Sequence, residues 1–283
     1  MSQLSRTRIY PLLGLLPFIL LVIGFLIMPL INMIFQSFQS NEGAFGLTQY
    51  ISIFGDAFYL QAIKNSLTIS LISATVAIII ASIGGYSISR LANRENKVMV
   101  MITNMTSYFE GIPLTFSFII LLGNNGLFTL LFSQLGLDIF DDFNLYSWVG
   151  LIIVYIYFQV PFAIMLLLPT YQGLKEDWRY ASNLLGGGQL SYWLHIGIPI
   201  LLPGIIGTYT ILFANSLGAY ATAYALVGST YNLLPLQIGS LIAGDVFLQP
   251  NLASALGVVL AIIMMGALWI NGKIMRKVRR DLK

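Results

Sequence analysis

Apolar residues run along this chain in long blocks, and polar residues gather in the gaps between them. A helix needs about 20 apolar residues to cross a hydrocarbon core of about 30 Å. Six blocks are long enough: Tyr10 to Phe35, Ser66 to Ile88, Val98 to Leu122, Leu145 to Leu168, a stretch within Ile196 to Leu226, and Leu252 to Ile270. The pattern predicts an all-α polytopic membrane protein with six transmembrane helices. Arg6 and Arg8 precede the first block as in a signal peptide. The block is too long for one, and no small-residue cleavage site follows Phe35, so it is expected to remain as a span.

Composition narrows the class further. Of the 283 residues, 57% are hydrophobic and 9% charged, against about 25% charged in a soluble domain. That excludes a water-soluble surface and equally a disordered chain. There is no cysteine, which excludes disulfides, iron–sulfur clusters and thiolate metal sites. The single histidine, His195, leaves no basis for a His-rich metal centre or proton relay, and it is expected to be structural.

The few charges settle the expected sidedness, because Lys and Arg concentrate in cytoplasmic loops. With the N-terminus inside, cytoplasmic segments hold Arg6, Arg8, Arg90, Arg94, Lys97, Lys175, Arg179, Lys273, Arg276, Lys277, Arg279, Arg280 and Lys283. Only Lys64 of the 14 Lys and Arg is left outside. Both termini are therefore expected in the cytoplasm, with the chain in the plasma (inner) membrane. The outer loops carry Glu42, Asp56, Asp138, Asp141, Asp142 and Asp245, either as solvation or as a docking surface for an external partner.

Three connections carry pattern of their own. In the outer loop Gln36 to Asn65, FGLTQYISIF is amphipathic enough to lie along the interface. In the outer loop Gly123 to Asn144, the apolar GLFTLLFSQLGL is expected to re-enter or to pack on the bundle. The inner loop Thr170 to His195 predicts a short helix over Lys175 to Leu185, with Trp178, Ala181, Leu184 and Leu185 on one face. Gly186-Gly187-Gly188 should stop that helix. A second helical stretch, Gln189 to His195, comes next, and Pro199 and Pro203 mark the start of the next span. A charged helical hairpin of this kind is suited to being gripped by a soluble partner.

In place and spacing this loop resembles the EAA loop of type I, binding-protein-dependent ABC importer permeases. Their pattern is E-A-A, three residues, G, nine residues, then I-x-L-P. Tyr180-Ala181-Ser182 fills the first slot, Gly186 the glycine, and Ile196-Gly197-Ile198-Pro199 the last. The chain departs at Tyr180, Ser182 and Ile198, so the charge of the family's Glu is absent. The resemblance covers about Asn65 to Lys273, including NSLTISLISATVAIIIASIGGYSISRL and PFAIMLLLPTYQGL. Residues 1–64 then form an added span and outer loop, 65–273 the permease core with its coupling loop at 171–199, and 274–283 a basic tail. Three stretches are most similar to the polyamine, ferric-iron and phosphonate subgroup: PLLGLLPFILLVIGFLIMPLINMIFQSF, NGLFTLLFSQLGL and ANSLGAYATAYALVG.

The resemblance implies a type I ABC importer permease fold and a permease that pairs with a second subunit, as a homo- or heterodimer. It implies an ATPase-coupling loop, here Trp178, Arg179, Tyr180, Ala181, Ser182, Gly186, Ile196 and Pro199, whose coupling helix is seated on a dimer of ATPase subunits. Substrate would come from an external binding protein by alternating access. This chain itself is expected to bind no cofactor. ATP and Mg would sit on the ATPase, since GGGQLS lacks the GK[ST] ending of a phosphate-binding loop. The chain is therefore not expected to be an enzyme. Membrane lipid is an expected partner and nucleic acid is not.

Glu110 is the only formal charge inside a predicted span. A charge there costs about 2.5 kcal/mol or more on insertion scales, so Glu110 should face a cavity or the bundle interior. It is either a pathway residue meeting a cationic substrate or a bonded carboxyl holding the break at Gly111 and Pro113. Asn215, Ser216 and Tyr220 are further pathway candidates; hydrogen bonds between spans are the other use of such residues. An ion-coupled secondary transporter is the alternative function, but one buried carboxylate is a thin basis for an ion cycle.

Overall fold

The computed structural model describes residues 15–40, 43–136, 143–244 and 248–281. Of the residues named above, Arg6, Arg8, Tyr10, Glu42, Asp138, Asp141, Asp142, Asp245 and Lys283 lie outside them. The described chain is all-α, with one isolated bridge between Gln39 and Phe45. Its helices are α1 (Leu15–Ser37), α2 (Thr48–Gly55), α3 (Ala57–Ser89), α4 (Asn93–Ser107), α5 (Ile112–Leu122) and α6 (Leu127–Gln134). They continue with α7 (Trp148–Gln172), α8 (Glu176–Leu184), α9 (Gln189–Leu217), α10 (Tyr220–Val227), α11 (Leu234–Ala243) and α12 (Pro250–Asp281).

Six stretches are long and apolar enough to cross a membrane: α1, α3, Ile112–Gln134, α7, α9 and α12 as far as Arg276. The expected third span, Val98 to Leu122, needs correction. The helix stops at Ser107, residues 108–111 are not helical, and the long apolar stretch is α5 together with α6. The cause is local: Gly111 takes φ 79° and Pro113 sits at the start of α5, where its missing N–H costs nothing. The second span begins earlier than expected, at Ala57, which places Lys64 within α3 rather than in a loop. The fifth runs Gln189–Leu217 and ends there, with α10 a separate helix. Helix α11 was not expected from the sequence pattern.

Helices α1 and α9 each contain one π turn, Ile23–Ile27 and Trp193–Gly197. Each turn is followed two residues later by a proline, Pro29 or Pro199. Proline donates no backbone hydrogen bond and crowds the carbonyl four residues back, and widening the preceding turn relieves this. Pro161, Pro169 and Pro203 stay within regular helix, so proline permits the widening without enforcing it.

The chain divides into two compact units, Met1–Leu60 with Ile238–Ala261, and Gln61–Gln237 with Ile262–Lys283. In the first, the end of α1 is fastened by side chains. Tyr50 donates to Ser37 Oγ at 2.8 Å, and Ser254 donates to Gln36 Oε1 at 3.2 Å. The most apolar part of α1 has no buried residue, as expected of a helix whose solvent is lipid. The second unit holds a core of Ile69, Leu114, Leu151, Val154, Tyr155, Phe158, Leu226 and Leu236. Helix α7 is its centre and packs against α4 and α9. Gly84 and Gly85 let α3 come close to α7, since a Cβ on them would lie 3.2 Å from Ile164 and 3.1 Å from Tyr171.

Candidate functional site

Two helix breaks meet beside α7. The first is residues 108–111 between α4 and α5, and the second is Gly218-Ala219 between α9 and α10. Helices α5 and α10 pack together, and a Cβ on Gly111 would lie 3.9 Å from Ala221 Cβ. A break frees backbone polar groups, which within a membrane are tolerated only inside protein or beside a cavity. Side chains add further bonds here: Tyr155 donates to the Ala219 carbonyl at 2.9 Å, and the Thr115 hydroxyl lies 3.0 Å from the Gly111 carbonyl and 3.4 Å from that of Thr222.

Beside the breaks lies a cavity of about 430 Å³. Its lining includes Glu110, Gly111, Phe158, Asn215, Ala219, Tyr220 and Thr222. Three of the four pathway candidates therefore come together: Glu110 and Tyr220, both exposed, and Asn215, half-buried. Glu110 lies two residues before α5, next to its N-cap Gly111, where the helix's N-terminal partial charge complements a carboxylate. The Tyr220 ring stacks on Tyr224 at 5.4 Å. The site is thus a cavity at two helix breaks with one acidic group, one amide and an aromatic wall.

Ser216 is placed elsewhere. It is buried, with its hydroxyl 2.9 Å from Ser73 Oγ, which also accepts from Gln159 Nε2 at 3.1 Å. The three side chains tie α9, α3 and α7 together. Sequence reading missed the fully buried Gln159, although an amide amid the apolar residues YIYFQVPFAIM was a visible signal.

The hairpin after α7 is built as its glycines require. Gly186 takes φ 78° and donates to the Asn183 carbonyl at 3.0 Å, and Gly187 donates to that of Ser182 at 2.9 Å. This pair of bonds is a Schellman close, which places Gly186 at the left-handed position after the helix end. Tyr180, Ala181 and Ser182 lie in the body of α8, with Tyr180 and Ala181 exposed and Ser182 half-buried. Trp178 is half-buried and Arg179 exposed. Ile196 lies in the π turn and Pro199 just beyond it, both half-buried. At the tip, Leu184 and Leu185 are each 89% exposed. His195 Nδ1 sits 3.0 Å from the Ser191 carbonyl within its own helix.

No protein-family model matches the chain. Curated relatives do. The spermidine/putrescine transport system permease protein PotC homolog of Mycoplasma genitalium is 29% identical over 62% of this chain and 57% of its own length. PotC of Escherichia coli is 24% identical over 87% of this chain and 89% of its own. The ferric transport system permease protein FbpB of Actinobacillus pleuropneumoniae is 27% identical over 86% of this chain and 34% of its own. Among solved structures, a chain of a bacterial ABC transporter involved in the import of the acidic polysaccharide alginate superposes with TM-score 0.76. The match covers 96% of this chain and 97% of that one at 17% identity. In sequence the chain is related to transport permeases, and it has the fold of an ABC importer permease, as the loop after α7 had implied.

Proposed function

We propose that this chain is the transmembrane permease subunit of an ATP-driven ABC importer. It pairs with a second permease, receives a small cationic solute of the polyamine or ferric-iron kind from an external binding protein, and releases it into the cytoplasm. ATP and Mg are bound by a separate ATPase dimer. The observation that carries this reading is the inner hairpin, whose spacing matches the EAA loop and whose tip holds Leu184 and Leu185 out, each 89% exposed. An apolar pair on a charged helix at the cytoplasmic side is a surface for a partner. The cavity at the two breaks supports the transport half of the reading, and Glu110 in its wall favours a positively charged solute over an anionic one. Closure of the ATPase on nucleotide moves the hairpin and biases the cavity between two accessibilities.

The test is co-purification from native membranes. The intact chain should bring an ATPase subunit with it, and a chain lacking Trp178 to Gly188 should insert into the membrane without it. A stable ATPase complex with the deletion would overturn the assignment, as would uptake into vesicles driven by an ion gradient with no ATP.

A further inference from the structure

Both ends of the hairpin are fastened to the same place, the last two turns of α3. At one end, Arg90 Nη1 donates to Glu176 Oε1 at 2.7 Å. Glu176 is the first residue of α8 and Arg90 directly follows the end of α3. Each charge therefore sits where its helix dipole favours it, the carboxylate at an N-terminus and the guanidinium at a C-terminus. At the other end, Trp193 in the π turn meets Tyr86 edge-on at 5.0 Å and 74°. The two fastenings share a member, because the Arg90 guanidinium also lies 5.3 Å from the centre of the Tyr86 ring. Tyr86 in turn contacts Tyr171 at the end of α7, whose hydroxyl donates to the Ser82 carbonyl at 2.8 Å.

We propose that the inner end of α3 is where movement of the hairpin enters the membrane core, and that Arg90 and Glu176 are the positioning residues that transmit it. This rests on the reading of the hairpin as the ATPase-docking loop. Between Glu176 and the buried Tyr192 beside Trp193, the hairpin carries Leu184, Leu185 and Leu190 exposed at its tip. Besides passing through the covalent joins to α7 and α9, a force on the tip reaches Glu176 and Trp193, and both hand it to α3. From there α3 reaches the cavity wall, since Ser73 is bonded to Ser216, next in sequence to Asn215. With only the aromatic fastening left, α8 could turn about Trp193 without dragging α3.

The experiment uses the full complex, with ATPase and binding protein, in proteoliposomes. Solute taken up per ATP hydrolysed and ATPase retention are both measured. Arg90→Glu and Glu176→Arg should each keep the ATPase bound while uptake per ATP falls about threefold, the scale that a partly exposed ion pair supports. The double exchange R90E/E176R should recover part of that loss, because the pair is re-formed even though the dipoles now oppose it. Glu176→Gln, which keeps shape and a hydrogen-bond acceptor, should lie between wild type and Glu176→Arg. Unchanged uptake per ATP in both single variants overturns the proposal, as does a double exchange no better than either single. Failure of the wild-type chain to retain an ATPase instead overturns the docking reading beneath it, and so is told apart from failure at α3.

Discussion

Gly186→Ala should loosen the end of α8, and the three adjacent glycines make the effect gradable. Gly186 has φ 78°, in the left-handed region, and a Cβ there would meet nothing within 4 Å. The penalty is therefore backbone alone, about 1–2 kcal/mol for an L residue, which speeds local opening by a factor of about 5–30. Gly187 has ordinary φ, but its Cβ would lie 2.8 Å from Ser182 Oγ and 3.0 Å from the Ser182 carbonyl oxygen. Alanine there must lengthen the bond that closes the helix, so Gly187→Ala should open it as well, by crowding. Gly188 has φ −73° and nothing within 4 Å, so Gly188→Ala should match wild type. The assay is amide hydrogen exchange at Leu185 and at positions 186 and 187 in lipid nanodiscs. Exchange in Gly186→Ala at the wild-type rate, or in Gly188→Ala as fast as in Gly186→Ala, would refute the turn geometry as the reason for glycine in this loop.

Two further changes probe the cavity. Glu110→Gln keeps the shape of the wall and removes its charge, so uptake of a cationic solute should weaken about tenfold, the worth of one charge-assisted contact; unchanged uptake would remove Glu110 from the pathway. Tyr155→Phe strips the hydroxyl bonded to the half-buried Ala219 carbonyl at 2.9 Å, a loss of about 0.5–1.5 kcal/mol for one hydrogen bond. Its thermal midpoint in detergent should drop, and an unchanged midpoint would mean that the second break does not depend on this bond.

Much of the architecture could be read from the pattern because lipid leaves it little choice: apolar blocks of span length must be helices. The break at Gly111 and Pro113 and the stop at Gly186 were legible for a similar reason, since each depends on a backbone only glycine or proline supplies. The boundaries failed where polar residues sit inside a helix. Lys64 and Asn65 made the start of α3 look like loop, and counting Asn104, Thr106 and Ser107 within one block from Val98 to Leu122 hid the end of α4. The wall of the cavity was half legible. Asn215 and Ser216 are neighbours in sequence, but one residue turns a helix by about 100°, so Asn215 faces the cavity and Ser216 faces Ser73. Phe158 and Gln159 divide in the same way, Phe158 to the cavity and Gln159 to Ser73. Composition marked Asn215 and Ser216 alike and passed over Phe158 and Gln159, because it cannot say which residue turns toward the space.

The π turn at Trp193–Gly197 has a consequence for how this chain tolerates changes of length. A π turn spends one more residue per revolution than a regular helix does. Deleting a single residue between Trp193 and Gly197 would let the stretch revert to regular winding without rotating anything beyond it. Asn215 would keep its aspect to the cavity, and Ser216 its bond to Ser73. The same deletion a few residues later, in regular helix, would swing both by about 100°. The join between hairpin and span is thus a place where this chain can lose one residue without re-aiming the rest of α9.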